Sequence, residues 1–412
     1  MIKKLSEECL SCIKKPCMKG CPLNNDITEF IKFIKEEKYA SAFDILSETT
    51  VLPSICGRVC PHYKQCEGSC IKFRMNNPVK IGKLESMIGD MALEEGWKIK
   101  VPKETKYNVA VVGAGPAGLT CAAFLRRNGI GVTIYEKHDY LGGLLVHGIP
   151  DFRLDKKLVK KVTDNIINLG INVKYNMMLG NDINIEELKG NHDAVFIGVG
   201  ANVSNKMNIP GEELINVYGA NEVLEYNSDV DFKDKEVIVS GGGNVAIDIA
   251  RTAAKKEAKK VTVVYRRSKN EMPADLKEVE DALNDGVEFL YQTNILKILG
   301  DEKVQEVELI KTDLIAKEGN NRLVPVNIKE TNYKLPCDIV MMAVGAHMDY
   351  ASSSLNLDKE NNRIKIDIEG HTSDEKVFSG GDVSGTPSTI AWAARAGRNA
   401  AYSIIKYLEK GE

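Results

Sequence analysis

The chain has 412 residues, 43% of them hydrophobic and 27% charged. That balance suits roughly two to three domains of about 150 residues each and excludes a disordered chain or a small disulfide-stapled peptide. The formal net charge is −3 and the pI about 6.2, so no broad basic field exists to hold nucleic acid or an acidic membrane surface.

The cysteines divide the chain. Eight of the ten lie between Cys9 and Cys70, and the rest of the chain holds only Cys121 and Cys337. The N-terminus, MIKKLSEECLSC, has acids and cysteines where a secretion signal needs an apolar stretch, and no run of 18 or more apolar residues follows anywhere, so a cytoplasmic protein without a membrane span is expected. In a reducing compartment, clustered cysteines favour metal or cluster ligands over disulfides.

The first group reads Cys9-x2-Cys12-x4-Cys17-x3-Cys21-Pro22, the second Cys56-x3-Cys60-Pro61-x4-Cys66-x3-Cys70. Proline directly after a cysteine resembles ferredoxin cluster motifs and favours iron–sulfur over a pair of four-cysteine zinc sites. Between the groups, Asp26 or Asn25 caps a helix with the apolar face Ile27, Phe30, Ile31 and Ile34, and a second helix is expected near Tyr39 to Glu48. A small helical domain, residues 1–104, is the expected result.

After a linker, WKIKVPKETKY, the composition changes near residue 105. The apolar strand Val109–Val112 leads into Gly113-Ala114-Gly115-Pro116-Ala117-Gly118, a helix to Asn128, and a second strand ending in Glu136. Strand, glycine motif, helix and an acid about 20 residues on make a complete dinucleotide fingerprint. Gly113 permits the turn, Gly115 lets the backbone approach pyrophosphate, Gly118 lets helix and strand pack, and Glu136 accepts hydrogen bonds from ribose.

A second copy runs from Val237 through Gly241-Gly242-Gly243-Asn244-Val245-Ala246 to the strand Val261–Val264. It ends in Arg266 and Arg267 instead of an acid, and guanidinium forks suit the 2′-phosphate of NADPH. A solvated charge pair at a strand end is the plainer alternative. Two motifs imply one site for FAD and one for a nicotinamide cofactor.

Over essentially its whole length the chain then resembles the small-subunit family of glutamate synthase, with dihydropyrimidine dehydrogenase and electron-bifurcating NADH/ferredoxin:NADP oxidoreductases as relatives. The matching segments are CLSCIKKPCMKGCP, CGRVCPHYKQCEGSC, VVGAGPAGL, GGLLVHGIPDFRLDK, GGGNVAIDIAR, YRRSKNEMPA and SGGDVSGTPSTIAWAARAGRNAA. The resemblance implies an α/β fold of two Rossmann-like domains after an all-α iron–sulfur domain. The FAD domain would cover 105–203 and 337–412, with the NAD(P)H domain, 204–336, inserted. It implies two interleaved 4Fe-4S sites, one of Cys9, Cys12, Cys17 and Cys70, the other of Cys21, Cys60, Cys66 and Glu85, leaving Cys56 as a buried thiol in a tight turn. Gly143, Leu144, Gly200, Gly381 and Asp382 join the FAD set, and Gly241, Gly243, Asn244, Val245, Ala246, Arg266 and Arg267 form the NADPH set.

The segments 194–201 and 339–346 resemble the paired crossings between such domains, and the tripeptide after Gly381-Asp382-Val383 departs from the usual pattern. No Cys-x-x-Cys lies beside the expected flavin, no histidine pattern suits catalysis, and no catalytic protein acid or base is expected. Function, on this reading, is electron transfer from NADPH through FAD and two clusters to a partner subunit in a hetero-oligomer. The alternatives are the large subunit of an electron-bifurcating transhydrogenase, a dihydropyrimidine dehydrogenase input subunit, or a redox-sensing scaffold.

Overall fold

The computed structural model describes residues 1–226, 229–317, 322–349 and 355–410. The chain divides into two compact units, one of Met1–Val146, Asp151–Ala201 and Met348–Glu412, the other of His147–Pro150 and Asn202–His347. The expected α/β class is what the chain adopts.

The first unit begins with short helices around an apolar core of Phe30, Ile31, Ile34, Leu46, Leu84 and Ile88, all fully buried. Asp26 caps the Ile27–Lys35 helix by accepting from the Glu29 N–H, and Tyr39–Ser47 follows. Two further helices, Pro53–Val59 and Ile81–Glu95, cross closely because small residues meet. A Cβ on Gly57 would lie 2.4 Å from the Ser86 nitrogen, and one on Gly89 2.5 Å from that of Ser54.

The same unit then builds a five-stranded parallel sheet in the order Val377–Ser379, Ala194–Ile197, Asn108–Val112, Gly131–Tyr135, Asn172–Lys174. The continuous apolar runs expected of strands covered on both faces are present, for example the fully buried Ala194–Ile197. The Pro116–Arg127 helix packs against the Ile390–Lys410 helix so tightly that a Cβ on Gly397 would stand 2.0 Å from the Ala117 carbonyl oxygen. Three arginines tie this sheet layer to the N-terminal helices. Arg127 donates to the Ser47 carbonyl, Arg395 to that of Pro22 (3.1 Å), and Arg398 to those of Leu23 and Thr49 (2.8 Å each).

The second unit has its own five-stranded parallel sheet, ordered Val217–Gly219, Ile339–Met342, Glu236–Ser240, Lys260–Tyr265, Glu288–Tyr291. It also carries an antiparallel sheet of Thr293–Leu299, Glu306–Ile315, Val324–Asn327 and Tyr333–Pro336, which the sequence patterning did not predict.

One expected boundary needs correction. The return to the first unit comes at Met348 rather than at residue 337, because Ile339–Met342 pairs with Glu236–Ser240 inside the second sheet. Residues 1–104 keep a hydrophobic core of their own, drawn from Ile2 to Ile99, and lie in the same compact unit as the first sheet, tied to it in part by the arginines. The segments 194–201 and 339–346 do end within a residue or so of the unit borders. Among the described residues, no helix is long and apolar enough to cross a membrane.

Candidate functional site

The two glycine loops have the same architecture, each inside its own unit. Gly113 (φ +94°) and Gly241 (φ +141°) occupy conformations that side chains avoid, and a Cβ there would also strike the carbonyl oxygen of Gly198 (2.6 Å) or Ala343 (2.2 Å). Gly115 and Gly243 differ from these. They sit in ordinary extended backbone as the caps of Pro116–Arg127 and Asn244–Lys255, and a Cβ on either would meet nothing within 4 Å. The fold does not require glycine at these two positions. Open space directly over the N-terminus of a 12-residue helix is where a pyrophosphate is cradled.

In the first unit, Pro116 and Ala117 open the helix, and Gly118 is forced by contact, since its Cβ would lie 1.9 Å from the Gly113 oxygen. Gly143 (φ +52°) and Leu144 form a turn against the loop, with the Gly143 Cβ position 3.1 Å from the Gly115 Cα, and Gly200 (φ +77°) lies just after the neighbouring strand. Glu136 is buried, and its carboxylate accepts from the Ala114 N–H (2.7 Å) and the His138 N–H (3.0 Å). It therefore braces the glycine loop. Gly381 (φ +88°) presents Asp382, whose carboxyl is pushed up to about 6 by burial, with Arg363 opposing. Thr386 Oγ1 close by is buried without a partner. A buried carboxyl and an orphaned hydroxyl at one end of the sheet fit the polar chain of a flavin dinucleotide.

In the second unit, Asn244 Oδ1 accepts from the Asp275 N–H (2.9 Å), Val245 continues the helix, and Ala246 is fully buried where the first loop needs Gly118. Arg266 and Arg267 follow the strand as expected. A third arginine, which the sequence reading missed, joins them. Arg267 Nε donates to the Leu323 carbonyl (3.0 Å), and Arg322 donates to the Glu271 carbonyl (3.0 Å) and reaches the Tyr265 hydroxyl (3.4 Å). Burial and then repulsion by Arg267 and Arg322 push the Arg266 guanidinium below its usual value. Like charges gathered at a strand end call for an anion. Its only signal in sequence is a lone arginine 55 positions beyond Arg267, too remote for a spacing motif to find.

The cysteines assemble in two sets, both within the first unit. Cys9, Cys12, Cys17 and Cys70 line one apolar cavity with Leu10, Ile27 and Ile71. Burial pushes the Cys17 thiol up to about 11, and Cys9 and Cys70 add to it. Around the second set, burial pushes Cys21 up to about 12, with Glu85 the next cause. Cys66 is raised by burial, then by Glu85 and Cys21, and Cys60 is raised by its hydrogen bond with Cys56, then by burial and by Glu85. Glu85 itself is buried, its carboxyl pushed up to about 8 by burial, and it accepts from the Asn25 amide at 3.3 Å. Three buried thiols and a buried carboxyl near enough to raise one another repel as anions, and a cationic metal centre reverses that cost and deprotonates the thiols it binds. Both sets fit such a centre. Cys56 lies in the Pro53–Val59 helix rather than in a tight turn, one helical turn before Cys60 and buried beside it.

Comparison with known proteins agrees with the fold and with a 4Fe-4S domain at the N-terminal end. Residues 107–397 match the family model "Pyridine nucleotide-disulphide oxidoreductase", and residues 1–97 match "Dihydroprymidine dehydrogenase domain II, 4Fe-4S cluster". The glutamate synthase [NADPH] small chain of Escherichia coli is 34% identical, over 99% of this chain and 91% of its own length. The chain belongs to the glutamate synthase small-chain family. The beta subunit of the NADPH-Fe(3+) oxidoreductase of Geobacter sulfurreducens is also 34% identical, over 96% of this chain and 64% of its own length. Among solved structures, Mycobacterium tuberculosis FprA in complex with NADPH shares the fold with a TM-score of 0.67 at 20% identity, covering 74% of this chain and 86% of FprA. Lactococcus lactis thioredoxin reductase follows at 0.57 and 23%, covering 74% of this chain and 100% of that one. The chain is thus an oxidoreductase with a dinucleotide-binding fold and a 4Fe-4S domain.

Proposed function

We propose that the chain is an NADPH-dependent electron-input subunit of glutamate synthase small-chain type, working in the cytoplasm. When bound, FAD would accept hydride from NADPH and release electrons singly to two 4Fe-4S clusters, on to a partner subunit. Gly113, Gly115, Pro116, Ala117, Gly118, Glu136, Gly143, Leu144, Gly200, Gly381 and Asp382 hold the flavin dinucleotide. The second loop, Gly241 with Gly243, Asn244, Val245 and Ala246, takes the NADPH pyrophosphate, and Arg266, Arg267 and Arg322 take its 2′-phosphate. Cys9, Cys12, Cys17 and Cys70 ligate one cluster; Cys21, Cys60, Cys66 and Glu85 ligate the other.

The observation that carries this reading is the link between the inner cysteine set and the flavin fold. Cys21 is followed by Pro22 and Leu23, whose carbonyls are held by Arg395 and Arg398 of the helix that follows Gly381 and Asp382. A candidate ligand loop bonded to the helix behind the candidate flavin residues supports electron transfer between the two. The glutamate synthase small chain and the oxidoreductase beta subunit are by name parts of larger assemblies, which supports a separate partner.

The test is anaerobic purification followed by iron analysis and a visible spectrum. Flavin bands over a broad iron–sulfur absorbance, with about eight iron atoms per chain, both bleached by NADPH, are expected. A colourless chain, or a spectrum that NADPH leaves unchanged, refutes the proposal.

A further inference from the structure

Leu10, Ile13, Ile71, Phe73 and Met75 are exposed large hydrophobic side chains, Ile13 almost wholly so at 99%. All five lie on the two segments that supply Cys9, Cys12 and Cys70, and Leu10 and Ile71 line the same cavity as those cysteines. Exposed apolar side chains concentrated on the two segments around one cavity mark a contact. The charge around it is one-sided. Residues 7–21 and 60–80 hold seven lysines and arginines against three glutamates, with Lys15 paired to Asp26 and Lys72 to Glu8, in a chain whose net charge is −3. Lys14, Lys19, Arg74 and Lys80 are exposed among them, whereas Glu67 is turned inward to accept from the Gly82 N–H (3.1 Å).

We propose that this face is the docking surface for the electron-accepting partner, and that the partner is a protein presenting an acidic rim around a small apolar patch. The inference rests on the functional reading above and adds where electrons leave and to what kind of surface. The inner cysteine set is bonded through Pro22 and Leu23 to the flavin-side helix, which leaves the outer set as the last station. One electron leaves the cysteine-held centre and one acceptor in the partner is reduced; no bond forms or breaks. A few apolar side chains within a charged rim suit the small interfaces of electron-transfer encounters, which charge steers and salt weakens. The absence of an apolar helix in these two short segments, whose longest helical pieces are five residues, argues for a protein rather than a lipid surface.

The experiment uses the full chain loaded with flavin and clusters. Its probes are an oxidised acidic plant-type [2Fe-2S] ferredoxin, a basic cytochrome c, and anionic phospholipid vesicles. Calorimetric binding of ferredoxin should weaken about tenfold between about 20 mM and about 200 mM salt. The triple variant Lys14→Glu, Lys19→Glu, Arg74→Glu should lose ferredoxin and gain cytochrome c, and Ile13→Ser with Met75→Ser should weaken ferredoxin severalfold at either salt. Bleaching of the flavin by NADPH should be unchanged in every variant. Ferredoxin binding that survives charge reversal, or vesicle binding as tight as that of ferredoxin, overturns the docking surface. A wild-type chain that binds ferredoxin in this pattern but is not bleached by NADPH overturns the functional reading alone.

Discussion

Adding one methyl group at Gly115 or at Gly243 should separate what the fold needs from what the ligand needs. Neither position has strained backbone, with φ, ψ of −73°, −177° and −89°, 176°, and neither Cβ would touch protein within 4 Å. Alanine therefore gains about 0.4–1 kcal/mol by restricting the unfolded chain. It gives back a similar amount, because alanine caps a helix less well than glycine. The ligand-free protein should consequently keep its melting temperature to within a few degrees. A methyl group in the open space over the helix meets the pyrophosphate instead, at the roughly 1–3 kcal/mol that overpacking costs, or about tenfold or more in affinity.

Gly115→Ala should then purify with less FAD, read from the ratio of flavin to protein absorbance, while its KM for NADPH stays near wild type. Gly243→Ala should do the reverse, raising KM for NADPH with flavin retained. Loss of FAD from Gly243→Ala, or unchanged retention and KM in both variants, would refute the assignment of the two loops.

Three further outcomes follow from the same geometry. Arg322→Ala should raise KM for NADPH about tenfold, from a lost charge-assisted hydrogen bond of about 1.5 kcal/mol, and leave KM for NADH unchanged; equal effects on both would place Arg322 outside the 2′-phosphate site. Glu85→Ala should lower the iron content from about eight to about four atoms per chain while Cys56→Ala leaves it unchanged, and the opposite pattern would make Cys56 the ligand. His192, whose Nε2 faces the Tyr135 hydroxyl at 3.0 Å, is held below its usual value by burial, then by Lys174. The unfolded chain thus binds the extra proton first, so this contribution is present above about pH 6.5 and is lost as pH falls below it. His192→Gln should flatten that part of a stability-versus-pH curve measured by denaturant melts.

The legible parts of this molecule are those where one residue type answers one local demand. Gly113 and Gly241 could be found because a positive φ at a strand-to-helix turn admits little else, and Asp26 because an unpaired helix N-terminus asks for an acceptor. Ile339–Met342 was assigned to the wrong unit, since an apolar four-residue strand reads the same in either sheet and only its pairing with Glu236–Ser240 decides. Arg322 was missed because the antiparallel sheet returns it to Tyr265, and no periodicity announces that return. The approach of Cys60, which caps one helix, to Glu85 of the other depends on their close crossing at Gly57, Ser86, Gly89 and Ser54. Small residues spaced in this way are common in helices with no ligand nearby, and resemblance rather than spacing supplied Glu85.

The arginine ties also order events in time. The loop after Cys21 finds its hydrogen-bond donors in Arg395 and Arg398, some 373 to 375 residues further along the chain. Synthesis runs from the N-terminus, so the first segment made is among the last to be fastened. Until the Ile390–Lys410 helix has left the ribosome and docked, the carbonyls of Pro22 and Leu23 stay open to water, and so does the loop that presents Cys21. Iron loading of the inner set should therefore be a late step of maturation, and chains stopped before Ile390 should acquire the outer centre more readily than the inner one.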